Sequence, residues 1–157
     1  MKNAVLAASV AAAIFAGLAA AAQAQVSDAP VDPDMVTTIE SQAVLPPGAA
    51  KLADYDRYYG RATMAFLTPT DSGEHDVIAG VWLKRGPTMP RQNGAVPIPG
   101  HAGAFSLGSN GNLPLVSDGG CSVLTLYFDI KTQTFLFRGA RPPSATPPIT
   151  AVCNGVA

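Results

Sequence analysis

The chain has 157 residues, with 10 basic and 11 acidic side chains and a formal net charge of −1. Nearly neutral, with its cations scattered, it has no electrostatic grip on a phosphate backbone or an anionic bilayer, which argues against nucleic acid as a partner. Fourteen prolines and fifteen glycines predict many turns and little uninterrupted helix.

The first segment predicts export. Lys2 precedes an apolar run from Ala4 to Ala22, and Ala22-Gln23-Ala24 supplies a small-x-small cleavage site before Gln25. The run is mostly alanine, which gains little from lipid, so residues 1–24 read as a cleaved signal peptide and not as an anchor. The mature chain is then expected to be periplasmic or secreted, without stable membrane insertion.

Residues 25–44 are polar at their start and show no period, which predicts a disordered arm. Residues 45–157 have the length of a single globular domain. In "LPPGAAKLADYDRYYGR", prolines 46 and 47 act as a start signal, Gly60 as a stop, and Leu52, Tyr55 and Tyr59 fall on one helical face. A short amphipathic helix over Ala49–Tyr59 is the expectation.

From Arg61 the period changes to two. "RATMAFL" and "DVIAGVWLK" alternate as strands around the turn-forming "TPTDSGEH", giving a hairpin with a long tip. Asp71, Glu74, His75 and Asp76 cluster in that tip, but their spacing matches no calcium loop, so they read as a solvated turn. Residues 85–120 carry a glycine or proline every few positions, with one short strand near Val96 that proline restricts to a sheet edge. A loop of this length points to a binding surface.

The strongest strand follows. Residues 121–128 are apolar on both alternating sets, as in a central strand covered on both faces. "DIKTQ" turns the chain, "TFLFRG" returns antiparallel, "RPPSATPP" reads as a stiff connector, and Ile149–Cys153 makes a last short strand.

Cys121 and Cys153 are the only cysteines. In an oxidising compartment two cysteines are expected to pair, and these lie at the start of the central strand and the end of the last one. The competing use is Cys121 as a nucleophile, with His101 or His75 as base and Asp118 to orient it. Both histidines sit in glycine- and proline-rich stretches that would hold an imidazole loosely, which favours the disulfide.

Tyrosine and arginine are enriched in interface hot spots, so Arg57 and Tyr58 on the expected helix are candidate partner contacts. Arg91, His101 and Phe105 are the candidates within the long loop. No cofactor or metal motif is present.

"LADYDRYYGR", "IAGVWLK", "DGGCSVLTLYFD" and the terminal "CNGVA" together resemble a group of small exported bacterial proteins of unassigned activity. The resemblance implies a single exported domain and brings no catalytic residue.

The expected fold is α+β: one short N-terminal amphipathic helix on a small, mostly antiparallel sheet of four or five strands with one disulfide. The alternative is an all-β barrel or sandwich. The expected function is a non-enzymatic binding or inhibitor module of the cell envelope, its partner an envelope protein or a small ligand. The alternatives are a small hydrolase or thiol enzyme, and a structural or stress-related envelope protein.

Overall fold

The computed structural model describes residues 25–26, 30–66, 73–86, 92–107, 113–114, 116, 119–137 and 149–154. They form one open mixed sheet, one α-helix and one disulfide. The elements in chain order are β1 (Gln25–Val26), α1 (Pro33–Gln42), a 3-10 turn (Leu52–Asp54), β2 (Tyr55–Ala65), β3 (Glu74–Lys84), β4 (Ala95–Pro97), β5 (Ala104–Leu107), β6 (Gly120–Asp129), β7 (Thr134–Leu136) and β8 (Val152–Asn154).

The sheet order is β4-β5-β2-β3-β6-β7, with β1 also beside β2 and β8 also beside β6. Every pairing is antiparallel except β2 with β5. The long strands β2, β3 and β6 make the centre, and each outer flank of that trio is shared by two short strands. The sheet is not closed, so the barrel alternative does not describe it.

The helix lies elsewhere than expected. Pro33 occupies the first turn and the Asp32 side chain accepts from the Asp34 amide at 2.9 Å, an N-cap followed by proline. Val36 and Ile39, three apart on one face, are fully buried. This segment was expected to be a disordered arm; its short apolar stripe becomes stable by docking on the sheet, because tertiary burial and not propensity holds a helix of ten residues.

The tyrosine-rich segment is correspondingly a strand. Tyr55, Arg57 and Tyr59 face α1, while Tyr58 faces the opposite side, and all four are buried. A strand covered on both faces loses the polar alternation that would have identified it, and its apolar positions then mimic helical spacing. Bulky aromatic side chains suit the pleated surface. Gly60, expected as a helix stop, is a mid-strand residue opposite Ala79.

Beneath α1, Tyr55, Tyr59, Ile78, Trp82, Leu124, Leu126 and Phe128 form the main core. Trp82 is fully buried beside Tyr59, with ring centroids 6.4 Å apart at 76°. Gly80 belongs to this face for a steric reason: a Cβ there would stand 2.9 Å from Cγ of Leu126 on the neighbouring strand. The other face holds Tyr58, Val81, Leu83, Phe105, Leu107 and Val123, with Ala62, Phe66 and Val77 at its far end.

β4 is an edge strand, as its prolines required. Ile98 donates to Ala104 at 3.0 Å and Val96 lies opposite Ser106, which places Ala95 and Pro97 on the outward side. The Ala95 amide is taken by the Gln92 carbonyl at 3.3 Å and Pro97 has no N–H, so that outward side has no donor to offer.

Cys121 and Cys153 are bonded, with their Cα atoms 4.4 Å apart. The staple ties β8 to β6 where their register breaks, Gly120 facing Asn154 but Leu124 facing Cys153. Among the described residues no helix is long and apolar enough to cross a membrane.

Candidate functional site

Four of the five residues singled out for partner contact, Arg57, Tyr58, His101 and Phe105, fall into two assemblies. Arg57 is 4% exposed and its guanidinium makes four hydrogen bonds. Nε donates to Glu40 Oε1 at 2.7 Å, Nη1 to the carbonyls of Leu52 and Tyr55 at 3.2 and 3.1 Å, and Nη2 to the carbonyl of Ala102 at 2.7 Å. Arginine suits this place because its planar fork satisfies several acceptors with one delocalised charge.

Glu40 is the other hub. Its Oε1 also accepts from the Tyr59 hydroxyl at 3.0 Å, and its Oε2 lies 3.4 Å from Nδ1 of His101. Nε2 of His101 stands 3.1 Å from the Thr37 hydroxyl. Burial, and secondarily the Glu40 carboxylate that accepts its proton, push the Tyr59 phenol well above its ordinary pKa. The cluster therefore bolts α1 to β2 and to the turn before β5. Arg57 and His101 do come together, both on the Glu40 carboxylate.

Tyr58 and Phe105 meet on the opposite face, with ring centroids 5.3 Å apart and nearly parallel at 22°. Both are buried, at 2% and 5% exposure, and pack against the sheet. Arg91 lies outside the described residues.

A second polar assembly holds the β6–β7 hairpin. Asp129 is 3% exposed; its Oδ2 lies 2.5 Å from Nδ1 of His75, and its Oδ1 accepts from the Thr132 amide at 2.7 Å. Burial works to raise the Asp129 pKa, but the hydrogen bonds from Thr132 and His75 outweigh it and hold the carboxyl below its ordinary value. His75 is thus not part of a solvated tip, and Asp76 pairs with Arg61. Among the described residues no group of three or more metal-binding side chains gathers.

The thiol constellation does not assemble. Both cysteines are in the disulfide, which leaves no nucleophilic sulfur, and His101 is tied to α1; Asp118 lies outside the described residues.

Concave places occur among the described residues, and two of them bear on a binding role. A shallow hollow of about 520 Å³ lies over the turn before β5, lined by Pro97, Ile98, His101 and Phe105 among others, within the long loop where a binding surface was expected. The second, about 450 Å³, was not anticipated. It is built from three segments far apart in sequence: Gln42 at the end of α1, Gln133, Thr134, Phe135 and Phe137 on the β6–β7 hairpin, and Ile149 and Thr150 leading to β8.

This groove has a fixed floor and a polar rim. Phe135 packs edge-on against the core residue Phe128, centroids 5.1 Å apart at 72°. Thr150 is held by Val44, whose amide donates to its hydroxyl at 2.8 Å. Gln133 adopts a left-handed backbone with φ 54°, the one such non-glycine position among the described residues. Gln42 and Gln133 are both exposed, and no hydrogen bond occupies either side-chain amide among the described residues. No lining residue is ionisable. Sequence reasoning missed the groove because no local pattern joins positions about a hundred residues apart; only the left-handed turn residue in "DIKTQT" was a visible signal.

No protein-family model matches the chain, and neither the curated proteins nor the solved structures contain a significant match.

Proposed function

We propose that the protein is an exported, non-enzymatic binding module of the cell envelope, and that the groove between the α1 C-terminus and the β6–β7 hairpin is its ligand site. The supporting observation is the groove's composition: an aromatic and aliphatic floor anchored in the core, with two unengaged amides at the rim. Concave, mostly apolar surfaces of a few hundred Å³ with a few polar groups are the usual form of small-ligand sites. A rigid, disulfide-stapled sheet is a suitable carrier, since a preformed site loses little entropy on binding.

The test is a heteronuclear NMR titration of the purified protein with a panel of small uncharged compounds. Saturable shifts confined to Gln42, Gln133, Phe135, Phe137, Ile149 and Thr150 support the reading. A panel that leaves these residues unmoved removes it and favours a structural envelope role.

A further inference from the structure

We propose that the groove takes an uncharged saccharide bearing hydroxyl or acetamido groups, an inference that rests on reading the groove as the ligand site. The lining sets the class. Among the described lining residues Gln42, Gln133, Thr134, Phe135, Phe137, Ile149 and Thr150 there is no cation or anion to compensate the desolvation of a phosphate, carboxylate or ammonium group.

A pure hydrocarbon fits no better. It would cover Gln42 and Gln133 and strand amide groups that have no partner within the described protein, at the cost of unsatisfied donors and acceptors. The ligand must therefore offer hydrogen-bonding groups to the rim and C–H surface to the floor. Sugar rings present both, hydroxyls around the edge and C–H bonds on the faces.

An extended peptide is the main rival among neutral ligands. Peptides usually dock by adding a strand to a sheet edge, and β7 offers only the three residues Thr134–Leu136 for such pairing. Phe135 and Phe137 are two positions apart and about 6.6 Å along an extended chain, a spacing on the scale of successive rings in an oligosaccharide. Phe135 packs against Phe128 and the Gln133 backbone is set by its turn, so the floor and the base of one rim side chain are in place before binding.

The experiment titrates the whole protein with tri-N-acetylchitotriose and, separately, with acetyl-trialanine amide, reading backbone amide shifts. The trisaccharide is expected to give saturable shifts at the groove, weakened about tenfold in Gln133→Gly, which loses one charge-neutral hydrogen-bonding group. Glycine accepts a φ of 54° without strain, so this variant keeps its fold. If the peptide shifts the groove and the trisaccharide does not, the saccharide assignment fails while the ligand site stands. If neither does, both fail. Trisaccharide binding unchanged by Gln133→Gly also overturns the assignment.

Discussion

Glu40 in the last turn of α1 and Arg57 in β2 meet at 2.7 Å, with side chains 15% and 5% exposed. With the Tyr59 hydroxyl, which donates to the same carboxylate oxygen, the pair makes a polar link across a largely apolar helix–sheet contact. Both side chains are largely withdrawn from water, so removing Glu40 leaves Arg57 charged and buried without its counter-ion.

Glu40→Ala is accordingly expected to lower unfolding stability by roughly 3–5 kcal/mol, the usual range for breaking a buried pair. Urea denaturation measures it. Trp82, fully buried in the same core, should report any lifting of α1 as a red shift in fluorescence at low denaturant. A loss below about 1 kcal/mol would show that the pair behaves as a surface one.

The disulfide spans 32 residues. On the loop-entropy model its removal in the Cys121→Ala/Cys153→Ala double variant costs roughly 3.5 kcal/mol. Because β8 pairs only with β6 among the described strands, the amides of Val152–Asn154 should lose hydrogen-exchange protection before those of β3. Simultaneous loss across the sheet would contradict this order.

Two buried groups set opposite limits on pH. Asp129 has a depressed carboxyl pKa, so its contribution is fully present above the ordinary aspartate value near 4 and is lost as pH falls through the lower folded value. Tyr59 has a raised phenol pKa, so its contribution is present below about pH 10 and is lost as pH rises toward the higher folded value. Asp129→Asn should flatten the acid limb of the stability profile, and Tyr59→Phe the alkaline limb, each leaving the other limb intact. Denaturation midpoints from pH 2 to 11 would decide the matter.

Gly80→Ala tests the close approach of β3 to β6. The new methyl meets Cγ of Leu126 at 2.9 Å in the middle of paired strands, and overpacking of this kind costs about 1–3 kcal/mol. In the Leu126→Ala background the added methyl has room, so the two changes together should cost less than their sum. Additive costs would mean that the glycine answers to something other than Leu126.

Much of the sheet was legible. β3 and β6 declared themselves through length and apolar content, the "DIKTQ" turn fixed the β6–β7 hairpin, and the prolines around Val96 put β4 at an edge. The disulfide followed from two cysteines and the expectation of an oxidising compartment. Two elements were exchanged in character: Tyr55–Ala65 reads as a helix at its start because burial on both faces erases a period of two, and Pro33–Gln42 reads as loose because only Val36 and Ile39 mark its inner face. β5 escaped notice since its parallel partner β2 lies some forty-five residues earlier. Arg57, Tyr58 and Phe105 were chosen for residue type, but type alone cannot tell a hot spot from a core anchor; their neighbours across strands decide that.

The missing donors of β4 bear on how copies of this protein can meet. A sheet that lengthens by stacking edge on edge needs both rims to exchange hydrogen bonds, one to receive each newcomer and one to present to the next. Along β4 a newcomer would find carbonyls but neither an Ala95 amide free nor any N–H at Pro97. Pairing through β4 is thereby disfavoured, which removes one of the edges by which copies could join. One proline and one turn thus blunt this edge against pairing with a second copy.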